Sequence, residues 1–102
     1  MAETKSNPQA DTQEETEVRP PRRFNVLFHN DDYTPMEFVM EILIVLFNKS
    51  PQSALALTEE VHVKGKAVVA TFPKNIAQMK VKQVLEAATM NEYPLKCTME
   101  AE

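Results

Sequence analysis

Apolar residues begin abruptly at Phe24 and recur along the chain with two different spacings. Apolar and polar side chains alternate over residues 24–29, which predicts a β-strand because successive side chains of a strand point to opposite faces. The β-branched run 66–72 is followed by a proline and predicts a second strand. Residues 95–99 are preceded by a proline and predict a third.

A long apolar segment follows the first strand and has the signals of a helix. Residues 34–37 predict its start, with Thr34 as the cap, Pro35 in the first turn and a glutamate three residues after the threonine. The helix is predicted to run to about Phe47. Because it is apolar on nearly every face, we expect it to lie between other elements.

Two further helices are predicted from their ends and their apolar stripes. Ser50, followed by a proline, starts the second, and Gly65 ends it where a left-handed residue is usually needed. The third spans about 75–90 and is closed by Asn91. The inward stripes are predicted to consist of Ala54, Leu57, Thr58 and Val61 in the second helix, and of Ala77, Val81, Val84, Leu85 and Ala88 in the third.

The order of elements is strand, helix, helix, strand, helix, strand. This order predicts an α+β domain in which a three-stranded antiparallel sheet has three helices packed on one side. We expect this domain to occupy residues 23–102. Residues 1–22 hold no aromatic and almost no aliphatic side chain. They are expected to form a flexible tail, because they cannot bury enough surface to offset the entropy of ordering.

Composition narrows the range of functions. The formal charge of −4 disfavours general nucleic-acid binding, and no apolar run is long and charge-free enough to cross a membrane. The one cysteine, Cys97, cannot form an internal disulfide or a zinc knuckle, which is typical of a protein of the reducing cytoplasm. With Gly65 as the one glycine, a phosphate-binding loop is disfavoured, and no cofactor is expected.

The most unusual polar segment is Asn30-Asp31-Asp32, which lies between the first strand and the apolar helix. Hydrogen-bond acceptors beside an apolar wall suit a ligand that is cationic at one end and apolar at the other. The alternative is an Asx-rich turn before a helix, and residue types alone favour that alternative. His62 is a lone histidine that would gain a role only if it faced this loop, and His29 is assigned none.

The residue pattern disfavours both a metal-dependent enzyme and an enzyme with a cysteine or serine nucleophile. The side chains of Asp31, Asp32, Glu59 and His62 could bind a metal, but no spacing fixes them on one element as in a paired-histidine helix. Cys97 or a serine could act with a histidine, but no nucleophile motif surrounds either. We therefore expect neither catalysis nor a bound metal.

Several blocks of the sequence resemble one known family. Residues 30–39 are similar to the signature of ClpS adaptors, and so, in the same order, are 61–62 followed by 65–68, then 80–81 and 93–98. The resemblance extends over about 75 residues. It implies an N-end rule adaptor that binds the N-terminal Leu, Phe, Tyr or Trp of N-degron proteins. It further implies delivery to a ClpA-like AAA+ unfoldase of the Clp protease.

The resemblance also implies roles for individual residues. Asn30, Asp31 and His62 are implied to bind the α-amino group of the substrate, and Asp32 to contact its second residue. The implied apolar pocket for the first side chain consists of Thr34, Met36, Val39, Ile42, Thr58, Val61 and Leu95.

The chain departs from the family pattern at two positions. Thr58 stands where many relatives carry a methionine at the edge of the pocket, and Asn75 stands where an acidic docking residue is common. Lys80 matches the basic docking residue, so Asn75 and Lys80 are the implied contacts with the unfoldase. The tail is implied to take part in delivery, and we expect a monomer. The remaining alternative is a scaffold domain similar to the C-terminal domain of the ribosomal stalk protein.

Overall fold

A computed structural model of the chain describes residues 22–102, so the predicted tail falls almost wholly outside the described residues. Six elements follow one another in the predicted order. They are β1 (Arg23–His29), α1 (Met36–Phe47), α2 (Pro51–Lys64), β2 (Lys66–Pro73), α3 (Lys74–Met90) and β3 (Lys96–Ala101). The predicted α+β class is thereby confirmed.

The sheet is antiparallel, with β1 in the centre between β2 and β3. Val26 and Phe28 of β1 are fully buried and belong to the core that the helices cover. The opposite face is mainly polar, and there the Thr71 hydroxyl donates a 2.7 Å hydrogen bond to the side-chain oxygen of Asn25. The pairing of β1 with β2 is irregular between Val26 and Leu27, and an irregularity of this kind increases the local twist of the strand.

The core joins the inner face of the sheet to all three helices. Phe28 of β1 meets Phe47 of α1 edge to face, with 5.7 Å between ring centroids. Leu43 of α1 and Val84 of α3 are also fully buried. Burial of each such side chain contributes roughly 1.5–3 kcal/mol, so these contacts fix α1 and α3 on the sheet.

The start of α1 differs from the predicted cap. Pro35, not Thr34, occupies the cap position, and its carbonyl accepts the backbone N–H groups of Phe38 and Val39. The Thr34 hydroxyl instead donates a 2.8 Å bond to the Asp31 carboxylate. A carboxylate is a stronger acceptor than a neutral group, so it draws the threonine away from the helix end.

The outer side of α1 also differs from the prediction. Val39, Ile42, Leu43 and Phe47 are buried, but Val45 is 69 % exposed and Ile44 is exposed as well. The helix lies on the outside of the helical layer, where one side packs and the other faces solvent. The expectation that other elements surround it was wrong for this outer side.

Both ends of α2 agree with the predicted signals. The Ser50 hydroxyl accepts the backbone N–H of Ser53 at 3.1 Å, and Gly65 adopts a left-handed conformation with φ of 89°. Ala54, Thr58 and Val61 of the predicted stripe are buried. These signals were readable because each acts within one turn of the helix.

The end of α3 was also predicted correctly, but one member of its stripe was not. The Asn91 backbone N–H bonds to the carbonyls of Ala87 and Ala88. Leu85 is 39 % exposed, although it was predicted to face inward. Val84, one position earlier, is fully buried and takes the inward place, which turns Leu85 by about 100° toward solvent.

Candidate functional site

The loop between β1 and α1 is organised around the Asp31 carboxylate. Its Oδ1 accepts the backbone N–H groups of Tyr33 at 2.8 Å and Thr34 at 2.7 Å, and its Oδ2 accepts the Thr34 hydroxyl. The Asx-turn that the residue types favoured is therefore present. A carboxylate has about four acceptor sites, so these three bonds fix its position and leave a site free for a ligand.

The same bonds keep Asp31 ionised. Partial burial by itself raises the pKa of this carboxyl, but the hydrogen bonds from Thr34 and Tyr33 outweigh it and hold the pKa below its usual value. No salt bridge joins Asp31 or Asp32 to another residue between 22 and 102. The loop thus presents negative charge that is fixed in place and open to a cationic ligand.

Asn30 connects this loop to the end of α2. Its backbone N–H donates a 2.8 Å bond to the Gly65 carbonyl, and the Gly65 N–H in turn bonds to the Val61 carbonyl. His62 lies in this last turn of α2, and the side chains of Asn30 and His62 are both exposed. The three residues implied to bind an amine, Asn30, Asp31 and His62, therefore lie at one end of the molecule.

Several residues of the implied pocket belong to the core. Val39, Val61 and Leu95 are buried in one continuous core cluster. Met36 occupies the first turn of α1, directly after the loop, and is 40 % exposed. Thr34 is half-buried and donates its hydroxyl to the Asp31 carboxylate.

Thr58 belongs to the buried side of α2, with 3 % of its surface exposed. Its hydroxyl donates a 2.7 Å bond to the Ala54 carbonyl of the same helix. That bond satisfies the polar group within the helix and leaves the methyl group for apolar contacts.

Ile42 differs from the other implied pocket residues. It is buried, but it also lines a groove between α1 and α3 together with Val45, Leu46 and Ala87. It lies two turns along α1 from Met36, on the side that faces α3.

Of the two implied docking residues, Asn75 is exposed in the first turn of α3, beside Pro73 and Arg22. Lys80 is half-buried, and its Nζ donates a 2.6 Å bond to the Leu46 carbonyl at the end of α1. The same Nζ lies 5.8 Å from the centre of the Phe47 ring. Lys80 therefore satisfies one of the unpaired carbonyls of α1, a role that the sequence did not indicate.

Two groups without a predicted role are held within the fold. The Nε2 of His29 lies 2.7 Å from the Thr98 hydroxyl, and burial together with Lys96 and Lys66 lowers the pKa of His29. Burial raises the pKa of the Cys97 thiol to about 12, so this side chain stays protonated and is a poor nucleophile.

Within residues 22–102, no group of three or more His, Cys, Asp or Glu side chains could hold a metal ion. Over the same residues, none of the helices combines the length and apolar character needed to span a bilayer.

The sequence is similar to a known protein family over most of its length. Residues 19–98 match the family model described as "ATP-dependent Clp protease adaptor protein ClpS". The ATP-dependent Clp protease adapter protein ClpS of Shewanella loihica is 45 % identical over 86 residues, which cover 84 % of each chain. The protein of the same name from Vibrio atlanticus is 48 % identical over 87 residues, covering 85 % of this chain and 82 % of that protein.

A solved structure is similar as well. It is Agrobacterium tumefaciens ClpS2 bound to L-phenylalaninamide, with a TM-score of 0.79 and 34 % sequence identity. The match covers 81 % of this chain and 100 % of that one. With a family match over most of its length, the chain belongs to the ClpS family and is an adaptor of the ATP-dependent Clp protease, not an enzyme.

Proposed function

We propose that this adaptor binds N-degron proteins by their N-terminal residue and delivers them to a ClpA-like AAA+ unfoldase. The observation that carries the proposal is the ionised Asp31, fixed by three hydrogen bonds in the loop between Asn30 and the start of α1. The bound L-phenylalaninamide of the Agrobacterium relative combines a free α-amino group with an apolar ring, and it supports this assignment. The family match favours the adaptor over a stalk-like scaffold.

The amine half of recognition follows from charge. A free α-amino group has a pKa of about 7.7–8.0 and is mostly cationic at neutral pH. The Asp31 carboxylate, the Asn30 side-chain oxygen and a ring nitrogen of neutral His62 can each accept one of its N–H donors. An internal residue offers one uncharged amide N–H, so this arrangement selects a chain terminus.

The side-chain half follows from burial. The Leu, Phe, Tyr or Trp side chain of the first substrate residue would pack against Met36 at the start of α1. Burial of such a side chain contributes roughly 1.5–3 kcal/mol. Asp32, exposed in the loop, is the proposed contact of the second residue. The proposed pocket consists of Thr34, Met36, Val39, Ile42, Thr58, Val61 and Leu95.

Docking to the unfoldase is proposed to use Asn75 and Lys80. Asn75 is exposed to solvent at the start of α3. One of the three N–H donors of Lys80 is occupied by Leu46, which leaves two for a partner. The adaptor is proposed to act as a monomer in the cytoplasm, where the buried free thiol of Cys97 would stay reduced.

Fluorescence anisotropy with four labelled peptides tests the proposal. The peptides share one sequence and start with Leu, Phe, Val or acetylated Leu. Binding of the Leu and Phe peptides without the acetylated one would establish recognition of the amine together with the side chain. Equal binding of all four, or binding of none, would overturn it.

A further inference from the structure

A groove lies between the outer sides of α1 and α3, and none of residues 30–35 of the loop that holds Asp31 lines it. Its volume is about 450 Å³. It lies along the C-terminal half of α3, while the proposed docking residue Asn75 is at the other end of that helix. Its apolar lining consists of Phe38, Ile42, Val45, Leu46, Ala87 and Met90.

The apolar residues on the rim of this groove are unusually exposed. Val45 is 69 % and Met90 is 84 % exposed, and Met90 also lines a second, neighbouring groove of about 710 Å³ on α3. Leu85 continues the apolar surface there. A contiguous exposed apolar surface is typical of a binding site, whereas apolar residues exposed one by one are ordinary on protein surfaces.

The negative charge along the groove favours a positively charged partner. Glu41 on α1 and Glu86 on α3 stand on opposite sides of it, both exposed, and its lining holds no lysine or arginine. Glu37 lies one turn from Glu41 on the same helix. Two carboxylates across an apolar floor are complementary to a segment whose apolar side chains are flanked by Lys or Arg.

An unsatisfied polar atom in the same groove supports a donor-rich ligand. Gln83 lines the groove, and its side-chain oxygen is buried without a hydrogen-bond partner among the described residues. Buried acceptors are nearly always paired in native structures. A small rotation of this side chain would let it accept an N–H from a guanidinium or ammonium group of the partner.

Two other occupants are disfavoured by charge. Residues 1–19 carry five acidic side chains and only two basic ones, Lys5 and Arg19, so the N-terminal segment has the wrong sign. A second copy bound through the same surface would place the glutamates of both copies together, because a two-fold interface pairs a surface with itself.

We propose that the groove between α1 and α3 binds a basic amphipathic helix of a partner protein. The apolar residues of that helix, spaced at i, i+3 and i+4, lie on Ile42, Val45 and Met90. Its basic residues pair with Glu41 and Glu86. The groove shares Ile42 with the proposed pocket for the N-terminal side chain, but none of Asn30, Asp31 and His62 lines it.

The test uses an acetylated, fluorescein-labelled model helix of leucine and lysine, with a leucine and glutamate helix of the same pattern as the control peptide. The acetyl group prevents either peptide from using the amine site. We expect the lysine peptide to bind and the glutamate peptide not to bind. The variant Glu41→Lys/Glu86→Lys should weaken binding of the lysine peptide at least tenfold.

The matched control variant is Glu59→Lys/Glu100→Lys, which makes the same change of charge on exposed residues elsewhere. It should bind the lysine peptide like the unaltered protein, and NMR methyl shifts should centre on Val45 and Met90. An equal loss in both variants would mean attraction by net charge alone and would overturn the proposal. Shifts centred on another surface, or binding of both peptides, would overturn it too.

Discussion

Asp31→Asn is the substitution that isolates the charge of the proposed amine site. In the structure the Asp31 carboxylate accepts two backbone N–H groups and one hydroxyl. The amide oxygen of asparagine can keep both backbone bonds, and its NH₂ can donate to the Thr34 hydroxyl. The turn is therefore expected to survive while the negative charge is lost.

The expected size of the effect follows from the kinds of hydrogen bond. Bonds to charged groups contribute about 1.5–3 kcal/mol, against about 0.5–1.5 kcal/mol for neutral pairs. The difference of about 1–2 kcal/mol corresponds to a Kd that rises by roughly 5–30-fold. Asp31→Ala removes the turn bonds as well, so its binding should be nearly abolished and its loop less ordered.

The assay is anisotropy with the Phe peptide, and thermal unfolding of each variant checks the fold. Glu59→Gln is the control because it removes an exposed carboxylate on α2 that is not among the residues proposed to bind the amine. Unchanged affinity in a folded Asp31→Asn protein would refute the assignment of Asp31 to the amine. An equal loss in Glu59→Gln would show that net charge, and not the loop, attracts the peptide.

Three further predictions concern stability. Lys80→Met should lower the free energy of unfolding by about 1 kcal/mol, because it removes the bond to the Leu46 carbonyl, whereas Lys82→Met on the exposed side should change it little in urea unfolding. The pKa of His29 is lower in the folded protein than its ordinary 6.5, so the unfolded chain binds the proton first, and stability should fall as the pH drops below about 6.5. Gly65→Ala should lower the free energy of unfolding by about 1–2 kcal/mol, because a φ of 89° is strained for a residue that has a Cβ. The added Cβ would meet no atom within 4 Å, so the cost is backbone strain and not a clash.

Each of these stability predictions has an outcome that contradicts it. Equal midpoints for Lys80→Met and Lys82→Met would mean that the bond to Leu46 contributes nothing. A His29→Gln protein whose stability falls as steeply between about pH 7 and pH 5 as that of the unaltered protein would assign the effect to other groups. An unchanged or higher stability of Gly65→Ala would contradict the strain at the end of α2.

Much of the fold could be predicted because its signals are local. Ser50 and Gly65 act within one turn of α2, and alternation along β1 needs only adjacent residues. The order of the elements followed from these signals. Each such feature depends on residues that are neighbours in the sequence, so pattern and structure agree.

Other features depend on contacts that the sequence does not display. Thr34 could cap a helix or bind a carboxylate, and only the folded loop shows that Asp31 claims it. The partner of Lys80 is 34 residues away, on another helix. The exposure of Val45 depends on which side of α1 the sheet covers, and an all-apolar helix carries no mark of that side.

The candidate site combines both kinds of information. The signature 30–39 identified the loop and the first turns of α1, but not how they meet α2. The bond from the Asn30 N–H to the Gly65 carbonyl provides that link and brings His62 to the same end of the molecule. The motif named residues of the loop and of α2, and the tertiary structure supplied the contact between these two elements.

A crystal structure of this protein with L-phenylalaninamide would test the central claim most directly. The account predicts the amine nitrogen within about 2.7–3.2 Å of the Asp31 carboxylate and the Asn30 oxygen, with the ring against Met36 and Val61. A ligand whose amine faces solvent, or one that lies in the groove between α1 and α3, would contradict it.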